Sequence, residues 1–336
     1  MKKLSFIDKL IYVINSLMAF FLLFSYATPY VSPQSIPVFA IVSLLVPFLL
    51  IANILFFLYW LIKLKKQLFT SLIILAIGWF ISTPFYKLTT KNNALNNDLK
   101  IMSYNVRAFN HWKWTDEKNT VSKIKKFLNQ QNPDILIIQE NISYPKYLLD
   151  FKYSFIKNKY KKGHLGSAIY SNFPIINKGN INFKNSANEI TFVDILKKTD
   201  TIRVYNFHLQ SLQISPNKEN FGEKDSKKLI KNLEQKFTQQ AVQTELFLEH
   251  QKKWKGKKII CGDFNNTAYS WVYKQIIRNK KDAFLEAGKG FGKTFRYWFP
   301  MRIDFILVDD SMNVNQFKNF SFKYSDHFPI LARVNW

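Results

Sequence analysis

The chain has 336 residues, 47% hydrophobic and 17% aromatic, enough to fill more than one domain. Its 48 Lys and Arg against 23 Asp and Glu give a net charge of +25, which excludes an acidic binding protein. One cysteine, Cys261, excludes a disulfide framework and an all-cysteine zinc site.

From Leu10 to Ile62 no position is charged, a run of 53 residues. A membrane crossing takes about 20 apolar residues, so this run predicts two helices, over 10–27 and 36–62. The Pro-bearing turn Thr28–Pro33 parts them. A third charge-free stretch, Gln67–Tyr86, predicts one more span over 68–86. Lys2, Lys3 and Lys9 precede the first span, and Lys63, Lys65 and Lys66 separate the second from the third. Basic loops stay in the cytoplasm, so the N-terminus is expected inside and everything after Lys87 outside. Residues 1–90 thus read as a multi-pass, three-helix transmembrane anchor in a bacterial inner membrane, followed by a periplasmic or extracytoplasmic domain. Ser25-Tyr26-Ala27 also passes as a signal cleavage site, the competing reading of the first span. The expected spans hold no charge, which fits an anchor in the lipid bilayer better than a transport path.

Residues 91–98 are polar and without hydrophobic period, the composition of a linker. Beyond them, short runs rich in Ile, Val, Phe and Tyr predict strands at Lys100–Val106, Asp134–Gln139, Ser167–Tyr170, Ile190–Leu196, Ile202–Leu209, Lys258–Gly262, Ile303–Val308 and Ile330–Val334. Helical spacing of apolar residues marks Asp116–Gln130 and, more extensively, Lys224–Trp254. Many strands with few helices predict an α/β fold over 99–336, a four-layered sandwich of two packed β-sheets flanked by helices. Residues 1–90 hold seven Lys and one Asp, so the rest keeps 41 basic against 22 acidic residues. That excess fits a polyanionic partner. Because only six of the basic residues are Arg, it equally fits a bias toward lysine.

Six blocks place acids, amides and histidines just after apolar runs. They are Ser103-Tyr104-Asn105-Val106-Arg107, Ile138-Gln139-Glu140, Asn206-Phe207-His208-Leu209-Gln210, Gly262-Asp263-Phe264-Asn265, Arg302-Ile303-Asp304-Phe305 and Ser325-Asp326-His327-Phe328-Pro329. A carboxylate ending an apolar strand is costly to bury unless a cation or donor meets it. Glu140, Asp263, Asp304, Asp326 and Asn105, with His208 and His327, together suit a hard divalent cation, Mg²⁺ first and Mn²⁺ second. Hydrolysing a phosphodiester needs a Lewis acid, a positioned water and donors for developing charge, and these residue types supply all three. His111, His164 and His250 lie outside the blocks and read as surface histidines. Phe295, Tyr297, Trp298 and Phe299 read as packing, with base stacking or membrane contact as alternatives.

In order and content the six blocks resemble the endonuclease/exonuclease/phosphatase superfamily, over nearly all of residues 98–336. The resemblance implies that Glu140 binds the metal, with Asn105 beside it and Asp326 near. It implies that Asp263 orients or deprotonates the attacking water and that Asn265 holds that water or a phosphate oxygen. His327 would contact the scissile phosphate, with Asp304 fixing its tautomer. Arg107 would contact phosphate, as in the deoxyribonuclease branch, and Gln210 would serve the phosphate site. His208 resembles that branch's second histidine, a candidate general acid. The stretch Leu165–Ala168, where that branch places a steadying carboxylate, offers none.

The function so implied is a membrane-anchored, metal-dependent phosphoesterase cleaving phosphodiesters, nuclease-like. A lipid head-group phosphodiesterase is the alternative, and a catalytically silent basic tether for nucleic acid or anionic lipid is the rival from another class. Nothing in the sequence points to a protein partner.

Overall fold

In the computed structural model residues 4–142, 149–158, 165–184, 186, 188–213 and 223–336 are described, so His164 and the basic loop 159–163 lie outside them. Ser5 accepts a hydrogen bond from the Asp8 amide at 3.1 Å and so starts α1 (Phe6–Ser25). Thr28–Tyr30 form a short turn, and α2 (Pro37–Ile62) begins with Pro37, whose fixed φ suits a first helical turn. These two apolar segments are long enough to cross a bilayer. The third expected span is corrected: α3 (Leu68–Ile81) has only 14 residues, about 21 Å at 1.5 Å per residue, short of a hydrocarbon core of about 30 Å. The chain is already extended at Ser82 (φ −108°, ψ 161°), and Pro84 disfavours helical geometry at Thr83.

A buried polar chain ties the three helices together. Asn15 Nδ2 of α1 donates to Ser71 Oγ of α3 at 2.7 Å, and Ser71 donates to Asn53 Oδ1 of α2 at 3.1 Å. Trp60 of α2 donates back to Asn15 Oδ1 at 3.0 Å. All four side chains are fully buried, so each bond answers a polar group that would otherwise be stranded in an apolar setting.

Two compact units divide the chain. The first takes in Met1–Phe85 with two excursions of later chain, Gln213–Ala241 and Thr267–Gln275. The second holds Tyr86–Leu212, Val242–Asn266 and Ile276–Trp336. Residues 91–98 are bonded to the rest of this second unit. Asn93 N donates to Asn315 O at 2.9 Å, and Asp98 Oδ1 accepts from the Asn315 and Asn335 amides at 2.8 and 3.0 Å.

Among the described residues, twelve strands build two six-stranded sheets in the second unit. In chain order they are β1 (Leu99–Asn105), β2 (Ile135–Ile142), β3 (Tyr153–Asn158), β4 (Leu165–Ser171), β5 (Ile175–Asn182), β6 (Glu189–Lys197), β7 (Asp200–His208), β8 (Lys257–Asp263), β9 (Lys280–Asp282), β10 (Asp304–Asp309), β11 (Asn313–Asn319) and β12 (Ile330–Asn335). One sheet runs β11-β12-β1-β2-β4-β3, the other β5-β6-β7-β8-β10-β9. The pairs β1–β2 and β7–β8 are parallel and the other ladders antiparallel. Period-two alternation sends Ile101, Ile135, Ile137 and Ile169 into a shared core with Val204, Ile259, Cys261 and Ile306 of the facing sheet. On the outer face Met102, Tyr104, Leu136, Ile138 and Tyr170 pack with Ile124, Phe127 and Leu128 of α4 (Thr120–Gln131). The second sheet's Tyr205 and Phe207 meet Phe247 of α5 (Glu223–Lys252), with ring centroids 5.1 and 4.6 Å apart. The result is the expected α/β sandwich of two sheets flanked by helices. Two short helices, α6 (Trp271–Ile276) and α7 (Ala283–Ala287), follow β8 and β9.

Candidate active site

The ends of β1, β2, β7 and β8 and the start of β10 bring the blocks together. Across the second sheet His208, Asp263 and Asp304 stand in one row, paired in the parallel β7–β8 and antiparallel β8–β10 registers. Gly262 sets that row: at φ +134° a side chain would be strained, and a Cβ would run into the Phe207 carbonyl oxygen. On the first sheet an extra residue between Ile138 and Asn141 makes a bulge in the β2–β4 ladder. Glu140 sits in it with φ +51°, which ends strict alternation where the carboxylate is needed. Beneath the site, buried Gln139 and Asn206 join the sheets, Nε2 to Oδ1 at 2.8 Å.

The contacts among these residues are close. His327 Nδ1 lies 2.9 Å from Asp304 Oδ2, and its Nε2 lies 3.6 Å from Asp263 Oδ2. Asn105 Nδ2 donates at 3.2 Å to both Glu140 Oε1 and Asp263 Oδ2, bridging the two sheets' carboxylates. Asp263 Oδ1 accepts the Asn265 amide at 2.7 Å, and Asn265 Nδ2 donates to Leu209 O at 3.0 Å. Arg107 Nη1 pairs with Asp326 Oδ2 at 2.8 Å and its guanidinium lies 4.6 Å from the Trp114 ring. His208 Nε2 is 3.9 Å from Glu140 Oε1. Gln210 stands further back, its Oε1 accepting from Ser186 at 2.7 Å and its amide donating to Gln243 at 2.8 Å.

Burial opposes charge on His327, but the Asp304 and Asp263 carboxylates outweigh it and hold the imidazole well above its ordinary value. Burial lifts Asp263 well above the usual carboxylate range; the His327 charge pulls it down and Asp304 pushes it up. Glu140 is also raised, by burial and then by Asp326. Among the described residues the tight carboxylate–histidine group is Asp263, Asp304 and His327, with ligand atoms within 4.8 Å. Because Asp304 is engaged by His327 Nδ1 and Asp263 by the Asn265 amide, the Glu140 carboxylate beside Asn105 makes the better cation position. Four carboxylates around one arginine and one imidazolium, without a thiolate, are a donor set that fits a hard divalent ion.

Three supporting residues carried no role in the sequence. Ser325, inside the last block, donates to Asn105 O at 2.7 Å and accepts the His327 amide at 3.2 Å, so it joins β1 to the histidine turn. Thr294 Oγ1 accepts the amides of Ile303 and Asp304 at 2.9 and 3.0 Å, and no local pattern marked it. Glu189 is the third. The sequence offered no carboxylate for His208 in Leu165–Ala168, yet the β6–β7 register sets Glu189 directly opposite His208. Ser167, from that same stretch, donates to Glu189 Oε1 at 3.1 Å. Of the aromatic run, Phe295 lies edge-on to His327 at 5.0 Å and Phe299 is buried, whereas Trp298 is 73% exposed. After β1, Arg107, Ala108, Phe109 and Asn110 all have φ between 42° and 60°, a strained left-handed run beside the site.

Known structures share this fold at low identity. A functionally unknown conserved protein from Enterococcus faecalis V583 aligns with TM-score 0.53 and 18% identity over 70% of this chain and 99% of that one. D. rerio TDP2 complexed with single-strand DNA product aligns with TM-score 0.53 and 15% identity over 72% and 100%. The human Nocturnin catalytic domain with bound sulfate aligns with TM-score 0.52 and 16% identity over 72% and 96%. None of the curated protein sequences matches the chain. Residues 8–85 match a domain of unknown function. Residues 102–327, from β1 to the buried histidine itself, match the Endonuclease/Exonuclease/phosphatase family, and the chain belongs to it.

Proposed function

We propose that the protein is a divalent-metal-dependent phosphodiesterase, nuclease-like in substrate. The observation that carries this reading is the Asp304–His327–Asp263 relay facing Glu140 and Asn105 across the two sheets. Mg²⁺ would be held by Glu140, with Asn105 and Asp326 beside it, and when bound would supply a Lewis acid to a phosphate oxygen. Asp263, aimed by the Asn265 amide and raised by burial, accepts a proton from the attacking water. His327, kept charged by Asp304 and Asp263, donates from Nε2 to the charge growing on phosphorus-bound oxygen. Arg107, with a side chain 40% exposed, offers a second donor to phosphate, and Asn265 holds the water or an oxygen. His208 protonates the leaving oxygen. Residues 1–90 anchor the chain in a cell membrane, a reading supported by the two long apolar helices. Those helices also favour a second substrate reading, a phosphodiester of lipid head groups.

The test uses the full chain in lipid nanodiscs, assayed on plasmid DNA, RNA, phosphatidylcholine and sphingomyelin vesicles and an aryl phosphodiester, with Mg²⁺ or EDTA. Cleavage of nucleic acid that needs Mg²⁺ and falls by about 10²-fold or more in Asp263→Asn and in Asp304→Asn is the expected result. Cleavage confined to lipid moves the assignment to the second reading. No turnover of any substrate by a folded, metal-binding chain overturns both.

A further inference from the structure

Arg107 stands on a turn that its surroundings have to enforce. Arg107, Ala108, Phe109 and Asn110 keep φ between 42° and 60°, a region side chains seldom adopt. Asn105 Oδ1 accepts the Arg107 amide at 3.1 Å, and Val106 O accepts the Phe109 amide at 2.9 Å. Ala108 and Phe109 are buried, Phe109 in the cluster that holds Tyr104, Ile124 and Leu128. Asn110 then clasps the chain further on: its Nδ2 donates to Thr115 O at 2.9 Å, and its Oδ1 accepts the Thr115 amide at 3.2 Å. The clasp closes a loop over 110–115 that returns Trp114 to Arg107, whose guanidinium carbon lies over the indole ring at 4.6 Å.

The guanidinium therefore has two supports, and they differ in kind. Asp326 Oδ2 meets Nη1 at 2.8 Å. A carboxylate occupies donors that a phosphate oxygen would need and competes for the same charge. A ring face does neither, because the N–H donors of a guanidinium lie in its plane and stay usable while the face is covered. The arginine's charge is felt within the site: Glu140, raised by burial and by Asp326, is drawn back down by His327, Asn105 and Arg107. We propose that Trp114 is a positioning residue: it keeps the Arg107 guanidinium at the site when a substrate phosphate takes over the donors now held by Asp326. Binding then exchanges one anion for another on a fixed cation, with no arginine to be gathered in from solvent. The inference rests on the reading of Arg107 as a phosphate contact.

The test again uses the full chain in nanodiscs, with Arg107→Ala, Trp114→Ala, Trp114→Phe and the double variant Arg107→Ala/Trp114→Ala. Two readouts are taken: the affinity for inorganic phosphate by calorimetry, and kcat and KM on the aryl phosphodiester. Losing a charge-assisted contact should weaken phosphate binding by about 10- to 10²-fold in Arg107→Ala. A cation over a ring at a partly exposed site is worth about fivefold, so Trp114→Ala should lose about that in phosphate affinity and in kcat/KM. Among the described residues the Trp114 indole N–H has no hydrogen-bond partner, so Trp114→Phe breaks none and keeps a ring face. It should stay within about twofold of the wild type. In the Arg107→Ala background, Trp114→Ala should cost nothing further, since a residue acting through another is not additive with it. The proposal is overturned if Trp114→Ala leaves phosphate affinity unchanged, or if it costs as much without Arg107 as with it. Phosphate affinity unchanged in Arg107→Ala, or absent in the wild type, overturns the reading of Arg107 and the proposal together. Should the wild-type chain bind phosphate but turn over no phosphodiester, the functional reading fails, and the phosphate cycle alone decides the role of Trp114.

Discussion

Glu189 shows how a missing side chain in one stretch can be made good from another. In an antiparallel ladder, directly opposed residues have Cβ atoms about 5 Å apart on one face, so the β6–β7 register delivers a buried carboxylate to His208. Ser167 donates to that carboxylate, which fixes one of its oxygens and orients it. A neighbouring carboxylate selects the tautomer of an imidazole and orients its ring. His208→Asn should lower kcat by about 10²-fold, the usual contribution of a general acid. Glu189→Gln should lose part of that, because the ring is no longer oriented. Steady-state rates on the aryl phosphodiester check both. An unchanged kcat in Glu189→Gln would leave Glu189 with a packing role only. Asn105, His208 and Asp263 each close a strand, because a polar group ending an apolar run is visible in one dimension. Glu189 was invisible because its role comes from a register, which joins residues 19 apart.

The same asymmetry governs the elements. All eight strands expected from apolar runs are present, and each has neighbours on both sides within its sheet. The four the sequence missed, β3, β5, β9 and β11, are the four sheet edges. Edge strands such as Asn313–Asn319 and Ile175–Asn182 expose one flank and carry Asn, Lys and Gln, so no apolar run announces them. Length was likewise legible for α1 and α2 and misread for α3, where an apolar run continues past the point at which Pro84 stops the helix. His250, expected on the surface, instead helps seat α5. Its Nδ1 is 3.1 Å from Tyr205 Oη and its ring is 4.8 Å from Phe192, beside Arg203, which makes a bidentate bond to Asp194 at 2.6 and 2.8 Å. Burial, then the charges of Arg203 and Lys253, pull the His250 imidazole below its ordinary value, against a weaker opposite pull from Asp194. The folded state thus prefers neutral His250. This contribution to stability is complete above the unfolded value of about 6.5 and is lost as pH falls through the lower folded value. His250→Gln, which keeps a hydrogen-bonding side chain but does not titrate, should show a smaller fall in Tm between pH 7.5 and 5.0 than the wild type. Equal falls would remove His250 from the acid response.

For the molecule as a whole, α3 decides where the chemistry happens. If only α1 and α2 cross, residues after α3 share a side with the N-terminus, whose basic loops favour the cytoplasm. If a third crossing occurs, they emerge opposite. At about 21 Å α3 does not span a hydrocarbon core of about 30 Å, so two crossings are the expected arrangement. Cys261 makes it easy to check, since it is fully buried and burial pushes its thiol well up, so the natural chain should resist maleimides. Cysteines at exposed Lys118 and exposed Lys66 should both react with a membrane-impermeant maleimide only after permeabilisation, whereas one at exposed Ser35, between α1 and α2, should react in intact expressing cells. Reaction at position 118 in intact cells would mean a further crossing. Two crossings place the +19 of residues 91–336 on the side of the N-terminus, where the cell's own nucleic acids are the polyanion that such charge would gather.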